Sequence, residues 1–260
     1  MTGKKSAKIL LIVEGDKREP AVMRQLFSQF GIADEYQIVS YCSNLYSLYN
    51  ILFPKSHSDE VEMMDLQAVL REHEQDDNKR QLLDNYYTDK LLIFDMDPHD
   101  THFSPQKILR MLQVFHESTD QGKLYINYPM IESFYHFRSI PDPYYYAYKV
   151  KKADILRYKY LVGKECVVGD YRKFAQSIQE MRCIVLQNII KGHLILGSNY
   201  SEESVTTLSQ EAIARSQIER LDSYGELQVL CTCVYFIAEY NSGFLRGERP
   251  LMPERAHMNQ

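Results

Sequence analysis

The sequence predicts an α/β protein with a mainly parallel sheet flanked by helices, followed by a mostly helical C-terminal domain. Two apolar runs, residues 9–13 and 91–94, lack polar alternation, which is typical of strands buried on both faces of a parallel sheet. Strand and helix patterns then alternate up to about residue 138, as in α/β domains. Beyond the segment Pro141-Asp142-Pro143, strand patterns are scarce.

Four strands and four helices are predicted in the first part, which we assign to residues 1–138. The strand patterns cover residues 8–13, 36–41, 90–94 and 123–127. The helix patterns cover residues 21–30, 45–52 and 105–115, and a further helix begins within 131–137. Asn44 and Ser104 are predicted to cap the second and third of these helices, with Pro105 at the first helical position.

Residues 55–85 differ from their surroundings because they are rich in charge and carry an amphipathic middle. We interpret them as a helical insertion on the outside of the sheet, with the charges on its solvated face. The second domain, residues 139–260, is predicted to contain three helices, over 171–191, 208–221 and 226–240. Asp170 is predicted to cap the first of these helices.

The composition indicates a soluble globular protein in a reducing compartment. The chain has 260 residues and a net charge of −5, which argues against a general nucleic-acid coat but does not exclude a local basic surface. The five cysteines include no CxxC pair, so buried thiols in a cytoplasmic protein are expected. The longest apolar stretches fall short of the ~20 residues that cross a bilayer, so no membrane association is expected.

Carboxylates follow the two most apolar strand patterns. Glu14 follows the first strand, and Asp95 and Asp97 follow the strand at 90–94. The ligand site of an open α/β sheet lies beyond the carboxyl ends of its strands, and alternate residues of a strand point the same way. We therefore expect Glu14, Asp95 and Asp97 to hold Mg²⁺ or Mn²⁺ through oxygen ligands. The alternative is that they cap strand–helix turns.

Further charged residues lie near these positions in the sequence. Glu19, in the predicted first helix, and Glu132, after the fourth strand, are candidates for a second metal site, unless they are ordinary solvated carboxylates. Lys17 or Arg18 could stabilise negative charge in a transition state. The sequence leaves open whether one or two metals act.

Together these segments resemble the TOPRIM domain, the metal-binding catalytic fold of topoisomerases, primases and OLD-type nucleases. That fold has an apolar strand ending in Glu-Gly, here Glu14-Gly15, and a later strand ending in DxD, here Asp95-Met96-Asp97. The resemblance covers roughly residues 8–138. Residues 13–20 and 127–134 are similar to the RloB-like and OLD-like branch, whose members follow Glu-Gly with a Lys and a second Glu, often next to Pro.

The resemblance implies a Mg²⁺-dependent endonuclease acting on RNA or DNA, commonly an effector of bacterial antiphage defence. The chain has no GxxxxGK[ST] motif, so an OLD-type ATPase would be a separate protein. A sensor, an inhibitory partner or a second copy of the chain is also expected to bind. Two alternatives stay open: a phosphotransfer or nucleotidyl-transfer enzyme acting on a small nucleotide, and a catalytically silent interaction module.

Basic and aromatic residues alternate between residues 144 and 160. Lys and Arg side chains bind phosphates, and tyrosine rings stack on unpaired bases. We predict a nucleic-acid groove here, formed by Lys149, Lys151, Lys152, Arg157 and Lys159. The alternative is a helix with its tyrosines packed inward and its lysines in solvent.

Overall fold

The computed structural model describes residues 9–32, 36–54, 65–201 and 208–246. It is an α/β fold with a mixed, mostly parallel sheet flanked by helices, as predicted for the first part of the chain. The main sheet has the order β2-β1-β3-β5-β4, and β8 also pairs with β5. A second, two-stranded sheet joins β6 to β7.

The strands β1, β2, β3 and β5 are parallel to one another, whereas β4 and β8 run antiparallel to β5. The predicted start of the first strand at Lys8 lies outside the described residues. The strands are β1 Ile9–Val13, β2 Tyr36–Ser40, β3 Asp89–Asp95, β4 His116–Glu117, β5 Gly122–Tyr128, β6 Lys149–Lys151, β7 Glu226–Gln228 and β8 Leu230–Cys231.

Helices pack on both the sheet and one another, and short 3-10 turns connect several of them. The α-helices are α1 Arg18–Gln29, α2 Leu45–Leu52, α3 Leu66–His73, α4 Asp77–Leu83, α5 Pro105–Val114, α6 Tyr158–Glu165, α7 Ile178–Ile195, α8 Gln210–Tyr224 and α9 Tyr235–Tyr240. The 3-10 turns are Ile131–Phe134, Tyr145–Ala147, Lys152–Arg157, Tyr171–Lys173 and Ser242–Leu245.

Local sequence signals explain where several helices begin. The Asn44 side chain accepts a hydrogen bond from the Ser47 backbone at the start of α2. Ser104 does the same for Lys107 at the start of α5, and Pro105 occupies the first turn. Both caps are confirmed, because each side chain satisfies a backbone N–H that has no partner inside the helix.

The charged insertion is helical where it is described. Helices α3 and α4 form a pair that packs against α2 and β2. The Lys79 ammonium donates to the Ser40 carbonyl at 2.7 Å, which joins α4 to the end of β2. Residues 55–64 of the predicted insertion lie outside the described part of the chain.

The predicted helix over 226–240 is wrong. Residues 226–228 form β7 and pair with β6, residues 230–231 form β8 and pair with β5, and only Tyr235–Tyr240 is helical. The edges of β5 and β6 supply hydrogen-bond partners for the backbone of residues 226–231. These partners are distant in sequence, so the local pattern does not predict them, and the pairing overrides the helical pattern.

Two other predicted helices are shorter than expected. The helix predicted over 171–191 begins only at Ile178, because Ser177 and Glu180 form a capping box there. Asp170 instead caps the separate 3-10 turn Tyr171–Lys173. The helix predicted to begin within 131–137 is a single 3-10 turn, Ile131–Phe134.

Side chains from both predicted domains belong to one hydrophobic core. Thr232 illustrates the connection, because its hydroxyl donates to the Ile126 carbonyl of β5 at 2.8 Å. The Tyr125 hydroxyl of β5 donates to Glu239 Oε2 of α9 at 2.6 Å. The boundary predicted after residue 138 therefore does not separate two cores.

All five cysteines are free. Cys231 and Cys233 are buried, as expected, but Cys42 is exposed at the end of β2. Within the described ranges, no helix combines the length and apolar character needed to cross a bilayer.

Candidate active site

Glu14 and Asp95 meet at the carboxyl edge of the sheet because β1 and β3 are parallel neighbours. Val13 pairs with Ile93 in the ladder, and the Glu14 backbone N–H donates to the Ile93 carbonyl at 3.2 Å. The Glu14 side chain then turns toward β3, where its Oε2 accepts a hydrogen bond from the Asp95 backbone at 3.1 Å. Two carboxyl groups that are 81 residues apart in sequence are thereby neighbours.

Asp95 is a buried carboxylate held by a neutral partner. Its residue is 7% exposed, and it lies opposite Asn127 of β5 in the ladder. The Asn127 amide nitrogen donates to Asp95 Oδ1 at 3.4 Å. Asn127 is not among the site residues predicted from the sequence, although a polar residue at the end of an apolar run is the same signal that predicts Asp95.

Asp97 reaches the site through a turn, not through strand alternation. Strand β3 ends at Asp95, and Asp97 has a φ of 41°, in the left-handed region that few non-glycine residues adopt. Its backbone N–H donates to the Pro129 carbonyl at 3.4 Å, and its carbonyl accepts from the Asp100 N–H at 3.0 Å. The alternation expected for Asp95 and Asp97 is therefore wrong, and the turn fixes the backbone of Asp97 instead.

Glu19 points back toward the loop that precedes its helix. It lies in the first turn of α1 and is 7% exposed. A Cβ atom at Gly15 would lie 2.7 Å from Glu19 Oε2. Gly15 thus leaves the space that the Glu19 carboxylate occupies.

Glu132 is the candidate ligand that already has cationic partners. It is 4% exposed in the 3-10 turn after β5. Its Oε1 accepts a 2.6 Å charge-assisted hydrogen bond from Arg18 Nη1, and Lys159 Nζ lies 4.0 Å from the same oxygen. The Arg18 guanidinium also lies over the Tyr171 ring at 5.4 Å.

Burial and mutual repulsion raise the pKa values of the clustered carboxyl groups. Burial, with the charges of Asp97 and Glu19 added to it, raises the pKa of Glu14 to about 8 although the Asp95 N–H bond opposes this. Burial and the Glu14 charge raise the pKa of Asp95 well above its ordinary value. Burial also raises the pKa of Glu19 and of Asp97, with His99 opposing the shift at Asp97.

The donor chemistry fits a hard divalent cation, but the side-chain arrangement is not that of a formed metal site. Within the described ranges, no three His, Cys, Asp or Glu side chains are grouped closely enough to hold an ion. Glu14, Glu19, Asp95 and Asp97 nevertheless offer oxygen ligands, and none of these four forms an ion pair with a Lys or Arg among the described contacts. Binding an ion would require their side chains to rotate toward one another.

The predicted basic groove is only partly free. Lys149 lies 3.6 Å from Glu226, and Arg157 forms an ion pair with Asp154 at 2.8 Å. Lys151 and Lys152 are exposed on β6 and the turn after it. Lys17, predicted to be catalytic, is exposed at the N-cap of α1.

Half of the six tyrosines in this segment are buried, while its lysines face solvent. Tyr145, Tyr146 and Tyr158 are buried, whereas Tyr144 and Tyr160 are exposed. The alternative prediction is a helix with inward-facing tyrosines and solvent-facing lysines, and the side chains follow it in part. The segment does not fold as one helix, because it forms 3-10 turns, β6 and α6.

The fold and the edge described above define an α/β protein with an acidic cluster at the carboxyl ends of parallel strands. No protein-family model, no curated protein and no solved structure matches the chain.

Proposed function

We propose that the protein is a metal-dependent nuclease that hydrolyses phosphodiester bonds of RNA or DNA. The observation that carries the proposal is the convergence of Glu14, Asp95 and Asp97 on one edge of the sheet, where no Lys or Arg of the described residues forms an ion pair with them. Removing carboxylates from water is costly unless they are paired or bind a metal. A protein that retains several of them together at the ligand edge of an α/β sheet is therefore a candidate for cation-assisted phosphate chemistry.

Each residue has a proposed role. Glu14, Asp95 and Asp97 would hold Mg²⁺ or Mn²⁺, and Glu19 and Glu132 would extend the oxygen shell. The bound cation would neutralise non-bridging phosphate oxygens and activate water. Asn127 orients the Asp95 carboxylate through its amide, and it is therefore a positioning residue.

Two cationic side chains, Arg18 and Lys17, would bind the phosphate oxygens that the metal leaves free. Arg18 lies beside Glu132 at the rim of the carboxylate cluster, and its planar guanidinium suits two phosphate oxygens. Lys17, exposed one residue earlier, can approach the same region from solvent. Both positive charges would stabilise the charge that develops on the phosphate during hydrolysis.

Assignment to the TOPRIM type is part of this proposal. The two segments that carry the resemblance, Glu14-Gly15 and Asp95-Met96-Asp97, follow adjacent parallel strands β1 and β3, which supports the assignment. A role as a cytoplasmic effector of antiphage defence, restrained by a partner protein, rests on the resemblance of residues 13–20 and 127–134 alone. Growth arrest on expression of the chain, relieved by Glu14→Ala, would support that role, and harmless expression would contradict it.

The direct test is incubation of the purified protein with tRNA, single-stranded RNA, plasmid DNA and linear DNA in Mg²⁺ or Mn²⁺. We expect cleavage of at least one substrate that EDTA abolishes and that Asp97→Ala and Asp95→Asn lower by at least ~100-fold, as for loss of a metal-binding group. Asp89→Asn is the matched control. Asp89 lies at the start of β3, whereas Asp95 lies at its end, and the Asp89 carboxylate accepts a hydrogen bond from the Ser118 hydroxyl.

The outcomes distinguish the alternative functions. Release of inorganic phosphate or of a nucleotide adduct while all polynucleotides stay intact would select the small-nucleotide enzyme. An Asp95→Asn variant that retains every activity and phenotype of the wild type would contradict a catalytic role for the acidic cluster and favour an interaction module.

A further inference from the structure

Two tyrosine–cation pairs involve helices that contact Glu132, α1 and α6. Arg18 and Lys159 approach the same oxygen, Glu132 Oε1, at 2.6 and 4.0 Å. The guanidinium of Arg18 lies 5.4 Å from the Tyr171 ring centre, and the ammonium of Lys164 lies 4.5 Å from that of Tyr160. Tyr160 follows Lys159 in α6 and lies one turn before Lys164. We call these five residues the rim, because Lys159 of the same helix reaches the carboxylate that Arg18 binds.

The rim carries positive charge despite the acidic chain. Residues 149–164 include six Lys or Arg side chains and one carboxylate, Asp154. At Glu132 a single carboxylate faces two cations, so one positive charge is in excess. Lys159 and Lys164 are exposed, and Lys164 forms no ion pair among the described residues. A polyanion is therefore the ligand that the charge of this rim favours.

The aromatic rings narrow the class of polyanion. Tyr160 is 61% exposed and Tyr171 is 36% exposed, whereas Tyr145, Tyr146 and Tyr158 are buried. A cation beside an exposed ring matches the repeating unit of a single strand, in which a phosphate alternates with an unpaired base. The bases of a duplex are already stacked on one another, so they cannot use these rings.

We propose that the rim formed by Arg18, Tyr171, Lys159, Tyr160 and Lys164 binds a single-stranded segment of nucleic acid and leads it into the acidic cluster. Phosphates contact Arg18, Lys159 and Lys164, and a base stacks on Tyr160. The inference rests on the proposed nuclease function and gives its substrate a class: an unpaired strand or a flexible loop. It adds Tyr160, Lys164 and Tyr171 to Lys159 of the predicted groove, since Lys159 and Lys164 are exposed and Lys159 shares Glu132 with Arg18.

The test measures binding without cleavage. Full-length Asp97→Ala protein in EDTA is titrated with labelled oligothymidylate, with oligouridylate and with a blunt DNA duplex of the same length. We expect tighter binding of the single strands than of the duplex. In this background Tyr160→Ala should weaken single-strand binding by about 5- to 140-fold, as for loss of one stacked base, and Tyr160→Phe should restore it.

The controls separate stacking from general surface effects. Tyr86→Ala removes a tyrosine that is 79% exposed near the opposite end of β3 and should leave affinity unchanged. Lys164→Gln should lower the slope of log affinity against log salt by about 0.7, as for one phosphate contact on a single strand. Thermal melting verifies that each variant is folded.

Three results would overturn the inference: no binding of any probe by the Asp97→Ala protein, equal binding of duplex and single strands, or unchanged affinity in Tyr160→Ala. The two proposals fail separately. If the binding pattern appears but the wild type cleaves nothing, the nuclease proposal fails and the binding surface stands. If the wild type cleaves and Tyr160→Ala binds normally, only the binding surface is rejected.

Discussion

The Asp95 backbone N–H donates to Glu14 Oε2 across the junction of β1 and β3. This bond orients the Glu14 carboxyl group with a neutral donor and leaves its charge uncompensated. The neighbouring carboxyl groups at Asp95, Asp97 and Glu19 add repulsion. The acidic edge is consequently a place where the folded protein favours bound protons, and a bound cation would replace them.

The free energy of unfolding of the metal-free protein should fall as pH rises from about 4.5 to about 8. Glu14 is protonated in both states below its ordinary pKa of 4.5, but in the folded protein its pKa is raised to about 8. Between these values the folded state binds more protons than the unfolded state, so stability decreases with pH. Thermal melting in EDTA measures this, and Glu14→Gln should flatten the decrease.

Adding Mg²⁺ should raise the melting temperature most near pH 8. Ligand carboxylates must be deprotonated to bind a cation, so the metal competes with protons at low pH. Asp89→Asn should behave as the wild type in both titrations. A melting temperature that rises toward pH 8 in EDTA would refute the assigned pKa shift.

Gly15→Ala should lower stability by about 1 kcal/mol, at the lower end of overpacking costs. The new Cβ would approach Glu19 Oε2 to 2.7 Å, and the buried end of that side chain would have to shift. Denaturant unfolding of the single and double variants provides the measurement, because the cost should largely disappear in a Glu19→Ala background. Gly163→Ala, where a Cβ meets nothing within 4 Å, should be neutral or stabilising.

Arg18→Met should destabilise the protein by at most about 3 kcal/mol, the lower end of the range for breaking a buried ion pair. The loss stays at or below this value because the Arg18 side chain is 28% exposed and Lys159 Nζ still lies 4.0 Å from Glu132 Oε1. The double variant Arg18→Met/Glu132→Met should recover most of the loss, because the buried carboxylate that loses its closest partner is then also removed. Urea unfolding of all four proteins gives the coupling energy, and a value near zero would contradict an energetically important pair.

Replacing Lys151 and Lys152 with Glu should weaken binding of a single-stranded oligonucleotide. The slope of log affinity against log salt should fall by at least about 1.4, which is 0.7 for each lost phosphate contact. Both side chains are exposed. Lys149→Glu is expected to remove the contact with Glu226 and to destabilise the pairing of β6 with β7. Arg71→Glu on α3 is the matched control, and equal losses in both variants would indicate a nonspecific charge effect.

Much of the first half could be predicted because its signals are local. The caps at Asn44 and Ser104 depend on side chains within three residues. The adjacency of Glu14 and Asp95 follows from a general property of parallel strands, whose carboxyl ends meet at one edge. These features need only sequence periodicity and short-range hydrogen bonding.

The remaining features depend on partners distant in sequence. The pairing of residues 226–231 with β6 and β5 depends on strands that lie 75 to 104 residues earlier in the sequence. The Arg18–Glu132 ion pair spans 114 residues, so Glu132 could be identified as acidic but not as already paired. The left-handed turn at Asp97 is set by contacts with Pro129 and Asp100, which a two-residue period does not encode.

The outer edge of β5 is shared by β4 at its start and β8 at its end. Strand β8 comes from near the end of the described chain, yet it covers the backbone beside Asn127. A fragment ending at residue 138 would keep β4 but leave the β8 part of that edge unpaired, and an unpaired edge is a template for self-association. The acidic edge therefore depends on the C-terminal part of the chain, and we expect the first half expressed or transferred alone to aggregate.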